Sequence, residues 1–154
     1  MKKQATSDRC FVCGRENPIS LRLQFYVDKN GDTVADITFS EDYQGYPGIV
    51  HGGVSAAVLD EICGRAFSDN GDLFMLTSEL TVRYRKPVPV NTPLIAKGYK
   101  VNRKGRVAFA RGELLDQAGN ILVEARGTYV DIPEEKLKEM NPEDFGWRVT
   151  PDEK

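Results

Sequence analysis

The 154-residue chain reads as one α+β domain, a curved antiparallel sheet wrapped around one long central helix. Three observations predict it. Strand-like alternation occurs on both sides of residues 52–68 and runs on to residue 132. Helical spacing interrupts it there. That helix is apolar and small-sided on most faces, so it belongs inside the molecule rather than on its surface.

The elements follow in order. Residues 1–9 are polar and are expected to be loose. "LRLQFYVD" (21–28) puts Leu21, Leu23, Phe25 and Val27 on one face, which predicts a strand. "KNGD" (29–32) carries an Asn-Gly hairpin turn, and "TVADITFS" (33–40) predicts the returning strand. A Gly-, Tyr- and Pro-rich loop covers 41–51. In "GGVSAAVLDEICGRAFS", Val54, Ala57, Val58, Ile62 and Ala66 recur at three and four residues, a helix of about four turns ended by "SDNGD" (68–72). Four strands are then expected, within 74–88, 93–101, 106–116 and 121–132. Pro133 opens a short helix, "EEKLKEM", and Trp147 is positioned to anchor a turn-rich tail. The chain thus divides into an N-terminal segment (1–19), a main domain (20–132) and a C-terminal helix and tail (133–154). A single helix on such a sheet leaves an edge strand and an uncovered face. Pairing with a second copy would close both, so a dimer is expected, or a dimer of dimers.

Composition removes whole classes of function. The net charge of −2 gives no footprint for nucleic acid or an anionic membrane. "MKKQATSDRC" has lysines but no apolar core like that of a secretory signal, so a cytoplasmic location is expected. The odd count of three cysteines speaks against a disulfide framework. Cys10-Phe-Val-Cys13-Gly14 has the spacing of half a zinc site, but a closed site needs four ligands. There is no second such pair, and His51 is remote in sequence. A four-thiolate site shared across a dimer axis is the metal alternative. A redox role would want a following helix start in a βαβ context. The expectation is two partly buried thiols and no metal.

"QGYPGIVHGGVSAAVLDEICGRAF" (44–67) concentrates the chemistry. Gly52 and Gly53 begin the helix, where unpaired N–H groups and partial positive charge suit an oxyanion or a polarised carbonyl. The same glycines would also serve simply to turn the loop into the helix. Asp60 lies on the Gly53 face, two turns and roughly 10 Å further along at the standard helical rise. The two are too far apart to act on one carbonyl within one chain; a second helix running antiparallel alongside would bring them together. Glu61 has Arg65 as an i+4 partner and is expected to face solvent, whereas Asp60 has Gly64 at that offset. A carboxylate among small apolar residues without a local partner is a candidate for chemistry. His51 lacks a neighbouring acid that would suggest a triad. Ser55, in "GVSAA", lacks the second glycine and preceding strand of a nucleophile elbow and is set aside.

"GYPGIVHGGVSAAVLDE" and "LTSELTVRYRKPVPV" (76–90) resemble the hotdog-fold acyl-CoA thioesterases, PaaI-like branch, over roughly residues 20–132. The resemblance implies a hotdog fold and hydrolysis of an acyl-CoA thioester to free acid and CoA, with no cofactor beyond the CoA of the substrate. It implies a Gly53 N–H that polarises the thioester carbonyl, with His51 and Gly52 shaping the loop. Asp60 would be the catalytic carboxylate, base or nucleophile, working against Gly53 of a second subunit, and Thr77 would position water or that carboxylate. "RYRKP" and "NRKG", represented by Tyr84, Arg85, Lys86, Pro87, Arg103, Lys104 and Gly105, would hold pantetheine and phosphates; solvated strand-end charge is the plainer reading. One departure stands out: several relatives carry Asn where this chain has Gly45. Two other readings remain open. One is a non-catalytic acyl-CoA binder. The other is a hotdog hydratase or dehydratase, which would need a catalytic His beside an acid. The acyl group is open too, with Tyr46, Phe67 and Phe74 as pocket candidates or ordinary core.

Overall fold

A computed structural model describes residues 1–69 and 73–151. A seven-stranded antiparallel sheet contains β1 (Lys2–Lys3), β2 (Tyr26–Val27), β3 (Thr33–Ile37), β4 (Met75–Tyr84), β5 (Leu94–Lys104), β6 (Val107–Leu115) and β7 (Ile121–Asp131). Their order across the sheet is β1-β2-β3-β5-β6-β7-β4. Helix α1 (Gly52–Arg65) lies against β3 to β7, and α2 (Glu134–Met140) follows the last strand. Of the turn expected at 68–72, Asn70, Gly71 and Asp72 lie outside the described residues.

The α1 face that meets the sheet is Val58, Leu59, Ile62 and Cys63, all fully enclosed. Facing it are Ala35 and Ile37 of β3, Leu94 and Ala96 of β5, Leu114 of β6 and Val123 and Ala125 of β7, at alternate strand positions. Val54 and Ala57 are only half-buried, so the enclosed stripe is rotated towards Leu59 and Cys63 relative to the expected one. The approach is close. Gly98 and Gly112 sit opposite each other in the β5–β6 pair, under the helix. A Cβ on Gly98 would stand 2.4 Å from the Ile62 carbonyl oxygen, and one on Gly112 would stand 2.8 Å from Cys63 Sγ. Only glycine fits there.

Three expectations are corrected. Residues 21–25 are not a strand: Arg22 has φ +53, and Leu21 and Leu23 donate backbone hydrogen bonds to Phe11 and Val12 instead. Their alternation reflects burial of Leu23 and Phe25 beneath the N-terminal segment. That segment is not loose either. β1 pairs with β2, Gln4, Ala5 and Thr6 are buried, and Thr6 bridges to Arg148 of the tail. Arg65, finally, turns inward. It binds Glu61 Oε1 at 2.8 Å as expected, but it also donates to the Ala5 carbonyl at 2.8 Å. Its guanidinium lies 4.5 Å from the Phe25 ring centroid and 5.2 Å from that of Trp147, so it fastens both termini to the helix end.

β4 is an edge strand of ten residues, bonded on one side to β7. Leu76 through Glu79 are exposed, and only Met75, Leu80 and Val82 are half-buried. The β4–β7 register slips between Thr77 and Glu79, so Ser78 is a bulge that bends the strand.

Candidate active site

Asp60 and Thr77 are brought together by folding, α1 against β4. Thr77 Oγ1 donates to Asp60 Oδ1 at 2.8 Å. A third residue joins them that sequence reasoning missed. The Tyr129 hydroxyl lies 3.1 Å from Asp60 Oδ1 and 3.0 Å from the Asp60 carbonyl oxygen. Thr77 and Tyr129 are direct partners in the β4–β7 ladder, so one cross-strand pair supplies both hydroxyls. Burial, then the neighbouring Cys63 and Asp60, push the Tyr129 hydroxyl far above its ordinary value, which keeps it a donor. Both donors engage Oδ1. Oδ2 therefore keeps its lone pairs for a third group, such as water or a substrate atom.

This constellation opens on a cavity of about 320 Å³ with a mixed wall. Asp60, Glu61 and Thr77 line it, along with Phe74, Met75, Leu76, Met140, Phe145 and Trp147. Phe74 packs on Trp147 and Phe145 at centroid separations of 5.1 and 6.1 Å. Of the pocket candidates from sequence, Phe74 thus lies beside Asp60, Phe67 packs in a small cluster with Tyr129, and Tyr46 is exposed elsewhere.

The helix start is a separate place. His51 is the N-cap of α1, and its Nδ1 accepts the Gly53 N–H at 2.9 Å. That geometry requires a neutral ring with its proton on Nε2. The Gly53 N–H expected to polarise a carbonyl is therefore engaged within the chain, at an exposed position. Gly52 is fixed by Tyr84, whose hydroxyl donates to its carbonyl at 2.6 Å and whose ring would lie 3.3 Å from a Cβ there. A cavity of about 580 Å³ is lined by Gly45, Tyr46, His51, Gly52, Ser55, Tyr84, Arg85, Lys86 and Pro87. Arg85 is held by Glu124 at 2.8 Å. Four of the residues expected to hold CoA thus gather at the helix start.

Arg103, Lys104 and Gly105 do not join them. They sit at the β5–β6 hairpin, where Arg103 is ion-paired with Asp131. Asp131 pairs with Met75, so the hairpin belongs to the Thr77 end of β4, and Tyr84 marks the opposite end. Each end of the edge strand carries half of the expected site.

A sheet wrapped around one helix, with that helix start and an acid on its exposed flank, defines a hotdog domain. The family model of the thioesterase superfamily matches residues 47–123, half of the chain, and the chain belongs to that superfamily. It is 26% identical over 109 residues to a protein of Saccharomyces cerevisiae called uncharacterized mitochondrial membrane protein FMP10, covering 68% of this chain and 45% of that one. It is 27% identical over 114 residues to the acyl-coenzyme A thioesterase THEM4 of Mus musculus, covering 73% of this chain and 48% of that one. A crystal structure described as a thioesterase superfamily protein superposes with a TM-score of 0.74 at 32% identity, covering 80% of this chain and 63% of that one. The chain spans about half the length of the curated relatives it matches.

Proposed function

We propose that this protein hydrolyses an acyl-CoA thioester to the free acid and CoA, at a site shared between two copies of the chain. The observation that carries the reading is Asp60 held by Thr77 and Tyr129 beside the exposed edge strand β4. Antiparallel pairing of two β4 strands sets the Thr77 end of one copy against the Tyr84 end of the other. Asp60 then faces the Gly53 of the partner subunit, which removes the separation of roughly 10 Å along one helix. The hairpin cations Arg103 and Lys104 of one copy approach the Tyr84–Pro87 segment of the other, so both expected CoA-binding groups meet. The acyl group lies in the aromatic-walled cavity next to Asp60.

In the reaction, the thioester oxygen accepts the Gly53 N–H as negative charge builds on it. His51 releases that N–H to the substrate and shapes the loop. Asp60 Oδ2 takes a proton from water as the water attacks and passes it to the departing CoA thiolate; or Oδ2 attacks the carbonyl itself, expelling CoA and leaving a mixed anhydride that water then cleaves to free acid and Asp60 carboxylate. Membership of the superfamily and the activity for which the mouse relative is named support the choice of acyl-CoA. The PaaI-like placement rests on the H-G-G-x6-D spacing. A cytoplasmic location belongs to the same proposal and is read by cell fractionation.

The test is release of free CoA from a panel of acyl-CoAs graded in chain length and aromaticity. Asp60→Asn should lower kcat by about 10²–10⁴-fold, the range of a general base, with the fold intact by circular dichroism. Full activity in that variant would overturn the role of Asp60. Tight CoA binding with no cleavage across the panel would replace hydrolysis by a binding function.

A further inference from the structure

The Cys10–Cys13 segment acquires a third donor in the folded chain. A Glu61 carboxylate oxygen, Cys10 Sγ and Cys13 Sγ all lie within 4.8 Å of one another. We infer that Cys10, Cys13 and Glu61 bind one divalent, thiol-seeking metal ion of the zinc class, clamping the N-terminal segment to α1. This departs from the expectation of no metal, which rested on a ligand count taken from sequence. Glu61 is 48 positions from Cys13, a pairing that spacing could not disclose.

Two features make the cluster a built site. Cys10 Sγ accepts backbone N–H groups from Val12 at 3.3 Å and Cys13 at 3.4 Å, so the turn presents a sulfur already supported from behind. Gly14 closes this turn, donating to the Cys10 carbonyl at 2.8 Å, where a Cβ would stand 2.3 Å from that oxygen. The other feature is Arg65. It donates to Cys13 Sγ at 3.3 Å and to Glu61 at 2.8 Å, touching two of the three donors. Such hydrogen bonds orient metal ligands and tune them.

Charge balance points the same way. Two thiolates and a carboxylate carry three negative charges; a divalent cation and the buried Arg65 carry three positive ones. Buried charge is tolerated when it is so paired. Two thiolates suit a soft or borderline metal, and a three-ligand set leaves one position for water. Cys10, Cys13 and Glu61 all line the cavity that holds Asp60, which gives water a route to that position.

The experiment uses the full chain, reduced and stripped of metal, titrated with Co²⁺ alone and then with Zn²⁺. One equivalent of Co²⁺ should give thiolate-to-cobalt charge transfer and the intense visible bands of a four-coordinate ion, and Zn²⁺ should abolish both. Cys10→Ser and Cys13→Ser should each lose the spectrum. Glu61→Gln should bind at least about tenfold more weakly, the lower bound for loss of even an outer-shell partner. In wild-type protein, where no variant must fold, Zn²⁺ should protect Cys10 from alkylation by a maleimide. The inference is overturned if no four-coordinate spectrum develops, if the Cys variants bind as well as wild type, or if Zn²⁺ leaves the alkylation rate unchanged. None of these readouts depends on thioester cleavage.

Discussion

Asp60 owes its definition to two hydroxyls that converge on one of its oxygens. Removing one of them while keeping the ring tests how much each holds. Tyr129→Phe preserves the packing and deletes a hydrogen bond to a carboxylate, so it should cost about 1–2 kcal/mol of stability in denaturant unfolding. Turnover should fall as Asp60 loses orientation, while KM for the acyl-CoA stays near wild type. An unchanged kcat would mean that Thr77 alone sets the carboxylate. Asp60 itself was legible in the sequence, as an acid among small apolar residues with glycine at i+4. Tyr129 was not, because it lies 69 positions away and meets Asp60 only through the β4–β7 register. Gly45 offers a second test at this scale. A Cβ there would meet the His51 Cα at 3.4 Å, an ordinary contact, and its φ is not positive. Gly45→Asn should therefore keep stability within about 0.5 kcal/mol, the range of a surface change. If the amide carried by resembling relatives holds substrate or water, turnover should rise in this variant; a fall would show that the loop works with glycine.

At the scale of elements, the helix is seated by the facing glycines of β5 and β6. Their tolerance should differ for a stated reason. A methyl at Gly98 meets the backbone of α1, the Ile62 carbonyl, whereas a methyl at Gly112 meets first the end of a side chain, Cys63 Sγ. A backbone cannot rotate aside, so Gly98→Ala should cost about 1–3 kcal/mol or more and Gly112→Ala less. Each kcal/mol lowers Tm by roughly 2–4 °C in a chain of this size, so thermal unfolding of both variants ranks them. Equal midpoints would mean that the helix moves as a unit. The four long strands were readable because one face of each meets α1 and the alternation follows the pleat. The segment 21–25 showed the same alternation for another reason, packing of Leu23 and Phe25 under the N-terminal segment, and periodicity cannot tell the two apart. The fold of residues 1–9 was unreadable because polar Gln4 and Thr6 are buried by contacts with distant chain: Gln4 donates to the Ser68 carbonyl and Thr6 bonds to Arg148.

For the whole molecule, the decisive question is whether each site needs two chains. In one chain, the helix start and Asp60 border separate cavities at opposite ends of β4. Two variants isolate the halves. Asp60→Asn disables the acid and leaves the helix start intact. Gly53→Pro removes the N–H itself, at a first-turn position where helices tolerate proline, and leaves Asp60 intact. Each homodimer should be nearly inactive. In a dimer combining them, one site receives both defects and the other receives none. Random reassortment makes half of the dimers mixed, so equal amounts unfolded and refolded together should recover about a quarter of wild-type activity, as a twofold-symmetric pair requires. If Asp60 and Gly53 of the same chain served one site, mixing would recover nothing. Native mass measurement on the same samples reports the dimers directly, and a strict monomer at working concentration would remove the shared site altogether.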